Sequence, residues 1–280
     1  MSSLLAVFAA ISFAFGTVLQ QRGTLATEAP EGDPRFLAEI VRKPVWIAGA
    51  SCQALGWVLQ AIALDGGSLV VVQSLCALSL VFALPLGVRF THQQVGLRSV
   101  LGAVWTLVGI ILFVAVGQPQ GGSSLPGAGA WWIATVVCLT GMSTLAGIAR
   151  RRGGAAAASL FATSAGIAFG FQSAVTKVFV TELGGGLVGV LTMWTTYGLI
   201  ISALAGFALQ QSALKTGFLA PAMAASNAST LVISVVLGIA VFGESLTKGG
   251  WRVSPAVLGL VLAVIGVVML STPERQMSSS

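Results

Sequence analysis

Nine long apolar runs constrain this chain more than any other feature of its sequence. They lie at about 2–21, 45–64, 68–88, 99–117, 130–149, 156–176, 187–209, 218–242 and 255–271, and no Asp, Glu, Lys or Arg stands in the middle of any of them. Most reach the ~20 residues that a helix needs to cross ~30 Å of hydrocarbon. The pattern predicts an all-α integral membrane protein with about nine transmembrane helices.

The composition argues against a soluble protein. The 280 residues are 56% hydrophobic and only 8% charged, whereas a soluble domain carries about 25% charged residues. The sequence contains no nucleophile–base pair, metal constellation or phosphate loop, so we expect neither an enzyme nor a cofactor. The three cysteines, Cys52, Cys76 and Cys138, lie in apolar runs without ligand spacing and are interpreted as small buried side chains.

The basic residues predict the orientation in the membrane. Counted over alternate loops, eleven of the 14 lie on one side: Arg22, Arg35, Arg42, Lys43, Arg89, Arg98, Arg150, Arg151, Arg152, Lys215 and Arg275. The other three are Lys177, Lys248 and Arg252. By the positive-inside rule the first side is cytoplasmic, which puts the N-terminus outside and the C-terminus inside the cell membrane. The net charge of +6 is thereby explained by topology, and no nucleic-acid partner is expected.

The chain also contains an internal repeat. Leu59, Gln60, Ala63, Leu64, Gly67 and Leu69 recur 150 residues later as Leu209, Gln210, Ala213, Leu214, Gly217 and Leu219. The predicted domains are a first repeat of four helices at 1–117 with an interfacial helix near 34–43, a connector helix at 130–149, a second repeat at 156–272 and a polar tail at 273–280. Because five crossings separate matched helices, the repeats are inverted. Inverted repeats are typical of secondary transporters.

Glycines at helical spacing predict close helix packing. Gly166 and Gly170 form one such pair, and the pairs Gly102/Gly109 and Gly259/Gly266 recur in the last helix of each repeat. Small residues let two membrane helices approach closely. These seams lie either within one subunit or between the subunits of a homodimer.

Several neutral polar side chains fall inside the apolar runs. Together with Trp57 as an aromatic wall, the predicted substrate-binding residues are Gln53, Gln60, Gln73, Gln172 and Asn227. A glutamine in lipid costs free energy unless it is paired or faces water, so the set predicts a shared polar cavity. The alternative is that these amides join neighbouring helices by hydrogen bonds.

Two cations occupy similar places in the two repeats. Arg22 and Lys177 each close the first helix of a repeat, which predicts a pair of gate residues; the alternative is that each extends to the membrane surface. Asp65, Glu182 and Glu244 are expected on the same outer side as Lys177.

Short motifs carry a family resemblance. Residues 12–25, the stretch from Trp46 to Val70, and Phe242-Gly243-Glu244-Ser245-Leu246 resemble the drug/metabolite transporter superfamily, and most closely its NIPA-type magnesium transporters. The resemblance implies a transporter with Mg²⁺ as its substrate. Trp57 stands where that family has an acidic residue, and Mg²⁺ is usually held through carboxylates.

The sequence therefore predicts a transporter in the lipid bilayer that moves a small molecule or ion by alternating access. Mg²⁺ is the substrate implied by the resemblance, and a small neutral or zwitterionic metabolite is the alternative indicated by the uncharged cavity. A non-transporting membrane scaffold is the alternative of another class.

Overall fold

The computed structural model describes residues 1–25, 42–91, 97–117, 127–183, 186–214, 216, 219–245 and 250–270. Most of the predicted interfacial helix near 34–43 and all of the predicted tail at 273–280 lie outside these residues. The structure is all-helical over the described residues, as predicted.

The helices follow the apolar runs closely. In chain order they are α1 (Ser2–Leu25), α2 (Pro44–Asp65), α3 (Leu69–Cys76), α4 (Ser79–Thr91), α5 (Leu97–Gly117), α6 (Ala128–Ala149), α7 (Gly154–Thr181), α8 (Gly186–Thr192), α9 (Trp194–Leu214), α10 (Leu219–Ala240) and α11 (Gly250–Leu270).

Among the described residues, five segments are long and apolar enough to cross a membrane. They are Ser2–Gln20, Pro44–Asp65, Leu69–Phe90, Ala128–Ala149 and Ala156–Thr181. Shorter apolar helices occupy Val100–Val116, Ala225–Ala240 and Ser254–Met269. The chain is thus suited to a membrane, and the full set of nine crossings stays a prediction.

The apolar run at 68–88 is a discontinuous helix. Helix α3 ends at Cys76 and α4 begins at Ser79. Around the break the Ala77 N–H donates to the Gln73 carbonyl at 3.1 Å, and the Leu78 N–H donates to the Leu75 carbonyl at 3.1 Å. The second bond joins residues three positions apart instead of four, as in a 3₁₀ helix, so the turn is tighter here. The run at 187–209 is also divided, by Met193 between α8 and α9.

Packing divides the helices into three contact groups. Helix α1 contacts α2, α3 and α4, whereas α7 contacts α6, α9 and α10. Helices α5 and α11 pack along each other. The main core lies where α1, α2, α3 and α7 meet, and its fully buried side chains include Leu64, Leu69, Val72 and Val175.

The predicted glycine seams lie inside one chain. A Cβ on Gly259 would come within 2.6 Å of the backbone nitrogen of Phe113, and one on Gly109 within 2.6 Å of the Gly259 carbonyl oxygen, so α5 and α11 touch through their backbones. On α7, a Cβ at Gly170 would lie 2.8 Å from Ile233 on α10. Of the two predicted arrangements the structure has the one within a subunit, and a homodimer stays a prediction.

Candidate functional site

The carboxylate of Glu244 is held in a ring of four donors. The Leu69 N–H donates to Oε1 at 2.6 Å and the Val70 N–H to Oε2 at 2.9 Å. The Ser68 hydroxyl donates to Oε2 at 2.6 Å. The Lys177 ammonium donates to Oε1 at 2.6 Å. We call Ser68, Leu69, Val70 and Lys177 the Glu244 cradle.

The turn after α10 delivers Glu244 into this cradle. Gly243 has a φ of +65°, a backbone conformation that glycine adopts without steric cost. The turn folds back so that the Glu244 N–H donates to the Gly238 carbonyl at 3.0 Å. Gly238 also leaves room for the carboxylate, because a Cβ there would lie 2.8 Å from Oε2 of Glu244. Two glycines, therefore, set the position of one carboxylate.

Helix α3 supplies the other side of the cradle. Ser68 is its N-cap residue, and the Ser68 hydroxyl accepts the Val71 N–H at 3.3 Å while donating to Glu244. The first N–H groups of a helix have no partner within the helix and carry its positive dipole end. Glu244 binds two of them, so a residue of the second predicted repeat caps a helix of the first.

Lys177 is buried rather than extended to the surface. Its exposed fraction is 5%, and that of Glu244 is 2%. The ammonium lies 4.7 Å from the ring centroid of Phe242, close enough for a cation–π interaction. The ring of Phe242 meets that of Trp131 on α6 edge to face at 6.0 Å.

The Glu244 cradle is a buried ion pair that is supported by further hydrogen bonds. A buried ion pair contributes little net stability, because desolvation offsets the attraction between the charges. Removing one partner is costly, since the other charge then stays buried alone. The arrangement holds the start of α3 against α7 and against the turn that follows α10.

The predicted amides are distributed around the same core. Gln60 on α2 donates from Nε2 to the Ser173 hydroxyl on α7 at 3.5 Å, at the limit of a hydrogen bond. Gln172 is 6% exposed and neighbours Ser173. Gln73 is 5% exposed, and its Nε2 has no partner among the described residues. These three glutamines lie on α2, α3 and α7, the helices that meet in the main core.

The other predicted binding residues are less buried than these three glutamines. Gln53 is half-buried and packs on Gly16 of α1, where a Cβ would lie 2.7 Å from the Gln53 side chain. Asn227 is half-buried on α10. Trp57 is 39% exposed and points out of the helix cluster beside the exposed Val58. The structure does not bring Trp57 together with the glutamines.

The two predicted gate residues have opposite surroundings. Lys177 is buried in the Glu244 cradle, whereas Arg22 is exposed near the end of α1. The first turn of α1 lies at the Lys177 end, because a Cβ on Gly67 would lie 3.0 Å from Ser2. Arg22 is about 30 Å further along the helix, at ~1.5 Å per residue.

The sequence predicted Glu244 on the same side as Lys177, and the two side chains form an ion pair. The ion pair itself and the aromatic contacts of Phe242 and Trp131 were not predicted. The signals were present: a glutamate directly follows a glycine at a helix end, and Ser68 precedes an apolar run. The predicted helix at 156–176 also stopped one residue before Lys177, whereas α7 continues to Thr181.

The described residues hold no cluster of three or more His, Cys, Asp or Glu side chains arranged to bind a metal ion. Comparison with known proteins gives one informative match. An uncharacterised protein of Corynebacterium glutamicum is 29% identical to this chain over 99% of the chain and 96% of the relative. No family model and no solved structure matches the chain.

Proposed function

We propose that this protein is a secondary transporter of the drug/metabolite transporter type, which moves a small solute across the cell membrane by alternating access. The observation that carries the proposal is the Glu244 cradle. It ties the second predicted repeat to the first at one end of the molecule, while Arg22 at the other end is exposed.

Matched packing within the two halves supports an inverted repeat. Gly56 on α2 receives the ring of Phe13 from α1, with an added Cβ 2.7 Å from the ring. Gly206 on α9, 150 positions later, receives the ring of Phe169 from α7 at 2.6 Å. Helices α5 and α11, the last of each half, pack on each other. In secondary transporters, two inverted halves rock against each other as rigid bodies.

The discontinuous helix supports a binding site near the bilayer centre. Broken helices in membranes are tolerated where the backbone is buried in protein or lines a cavity, and transporters use them to bind solutes. Gln73 lies next to the α3–α4 break, buried and with Nε2 unpaired among the described residues. We propose that Gln73, Gln60 and Gln172 face the solute when the site opens.

The orientation follows from the distribution of basic residues. With the N-terminus outside, the Glu244 cradle closes the outer end and Arg22 lies at the cytoplasmic end. In this interpretation the structure is closed to the outside, and opening the Lys177–Glu244 pair admits solute from there.

The first candidate substrate is Mg²⁺, which rests on the resemblance to NIPA-type transporters. The second is a small neutral or zwitterionic metabolite, which is favoured by the glutamines and by the engagement of Glu244 with Lys177. A solute held by amides keeps its polar groups paired without a carboxylate.

The experiment is uptake by proteoliposomes that contain the purified protein. Mg²⁺ is followed with a trapped magnesium-sensitive dye, and a panel of radiolabelled neutral and zwitterionic solutes is tested in parallel. Saturable uptake of either kind is expected, with a severalfold loss in Gln172→Leu and in Gln73→Leu. Leucine fills the volume of Gln73 without a polar group, so folding is expected to be retained. Arg152→Gln, at an exposed position, is the control.

The scaffold alternative is tested by thiol labelling of the unmodified protein. Cys76 is buried beside the α3–α4 break, Cys52 is half-buried on α2, and Cys138 is buried on α6. Transport predicts that solute changes the labelling rate of Cys76 or Cys52 and leaves that of Cys138 unchanged. A folded protein that takes up no solute and shows constant labelling at all three cysteines would be a scaffold.

A further inference from the structure

An open groove runs between α6 and α9 on the surface of the helix cluster. Both helices pack on α7, and the gap between them has a volume of about 350 Å³. Its walls are small side chains, chiefly Ala146 and Gly147 on α6 and Ala205 and Ala208 on α9, and Arg150 stands at its end. The groove is therefore apolar along its length and cationic at one end.

A second depression lies on the other side of Gly147. It has a volume of about 170 Å³ and is bordered by Thr144, Ile148 and Arg151. Ser143 and Gly147 border both hollows. Apart from its own helix backbone, no atom lies within 4 Å of a Cβ added to Gly147. The absence of a side chain at Gly147 therefore leaves open space at the border of the two hollows.

A membrane crossing by α6 would place Arg150 and Arg151 at the depth of lipid headgroups. Helix α6 is long and apolar enough to span a membrane, and Arg150 and Arg151 directly follow its last residue. Both side chains are exposed. A guanidinium group donates two parallel hydrogen bonds to a phosphate, and each basic residue near an anionic membrane surface contributes about 1 kcal/mol of attraction.

We propose that this groove is a binding site for an anionic phospholipid. One acyl chain lies along Ala146, Gly147, Ala205 and Ala208, and the phosphate binds Arg150 and Arg151. Charge complementarity selects the headgroup. The apolar groove selects a lipid over free phosphate, because it continues the exposed apolar surface of α6, on which Ile133 is 69% and Val137 is 64% exposed. This site is separate from the Glu244 cradle and does not depend on the transport proposal.

The chain offers a matched control for this site. Arg152 is exposed like its two neighbours but borders neither hollow. If the three arginines act only as topology anchors, all three are equivalent. If they bind lipid in the groove, Arg150 and Arg151 differ from Arg152.

The experiment is a titration of the purified full chain in detergent with phosphatidylglycerol, followed by native mass spectrometry, with zwitterionic phosphatidylcholine as reference. We expect one tightly retained phosphatidylglycerol per chain. Arg150→Gln with Arg151→Gln should weaken it by about tenfold or more, at about 1 kcal/mol per arginine. Arg152→Gln should leave the affinity within about twofold.

Gly147→Leu keeps all three arginines and fills the groove, so it should also lose the lipid while the protein stays folded. Equal retention of phosphatidylglycerol and phosphatidylcholine would overturn the proposal. An equal loss in Arg152→Gln and in the double variant would overturn it too. A dimer that Gly147→Leu dissociates in either lipid would assign the groove to a second copy of the chain instead.

Discussion

The C-terminal ends of α1 and α7, which the predicted repeat matches with each other, have different surroundings. In the sequence, Arg22 and Lys177 each close the first helix of a predicted repeat, and nothing in the sequence pattern distinguishes their surroundings. In the structure Lys177 is 5% exposed and bound to Glu244, whereas Arg22 is exposed. A sequence repeat thus predicts matched helices without predicting matched surroundings.

The difference arises in the segment that follows α10. Phe242 and Glu244 supply an aromatic face and a carboxylate to Lys177, and Gly243 makes the turn that brings them there. A lysine without such a segment is more stable with its ammonium group in water. Three residues that follow α10, namely Phe242, Gly243 and Glu244, therefore account for the burial of Lys177.

The largest effect is expected from removing the carboxylate. Glu244→Ala leaves the Lys177 charge buried and the first N–H groups of α3 unpaired, which should lower the free energy of unfolding by about 3–5 kcal/mol. Chemical unfolding in mixed micelles measures it. A loss below about 1 kcal/mol would mean that Lys177 reaches water without Glu244, and the contrast between the two ends would disappear.

A smaller loss is expected from Lys177→Met, about 1.5–3 kcal/mol. Methionine keeps contact with Phe242, and the Glu244 carboxylate retains three of its four donors. In this background Glu244→Gln should cost less than it does alone, with a coupling free energy of about 0.5–3 kcal/mol in a double-mutant cycle. Additive losses would show that the pair does not interact.

Ser68→Ala should cost about 1 kcal/mol, within the range of lost helix N-caps. Ser68 caps α3 and also donates to Glu244, so its loss affects the cradle without leaving a charge unpaired. Ser51→Ala is the matched control, since Ser51 is exposed and donates only to the Ile47 carbonyl in its own helix. The same unfolding assay should show a larger loss for Ser68→Ala than for Ser51→Ala. Equal losses would mean that the Ser68–Glu244 hydrogen bond does not stabilise the cradle.

The smallest effect is expected at the open end. Arg22→Gln should change the free energy of unfolding by no more than about 0.5 kcal/mol, as is usual for exposed positions. A loss comparable to that of Lys177→Met would indicate that Arg22 has a buried partner and that both ends are closed.

Much of the fold follows from the sequence because lipid requires long apolar helices. The apolar runs predicted the positions of the helices, although two of the runs are divided in the structure. The glycines predicted close helix contacts without specifying that α5 packs on α11. The outward direction of Trp57 was not predicted, because Trp57 lies between Gln53 and Gln60 in the helix and because lipid and protein interior are both apolar.

The candidate site was less predictable than the fold. Lys177 and Glu244 are 67 residues apart, and Leu69 and Glu244 are 175 apart, so no local pattern joins them. The break after Cys76 occurs at Ala77 and Leu78, without the glycine or proline that usually marks one. Contacts of this kind depend on tertiary packing, which the sequence pattern alone does not reveal.

The most direct test of the account is a pair of distances measured by double electron–electron resonance. Spin labels at Asp65→Cys and Leu183→Cys report on the Lys177 end, and labels at Arg22→Cys and Arg151→Cys report on the other; all four positions are exposed. The native cysteines are replaced by alanine, and the fold is checked. Lys177→Met with Glu244→Gln then removes both charges without leaving one unpaired.

The account predicts one short distance across the Lys177 end in the parent protein. The double variant should add a longer population there and a shorter one across the Arg22 end, because one half rocks against the other. Identical distributions at both ends, in a double variant shown to be folded, would contradict alternating access and leave the Glu244 cradle as a static support.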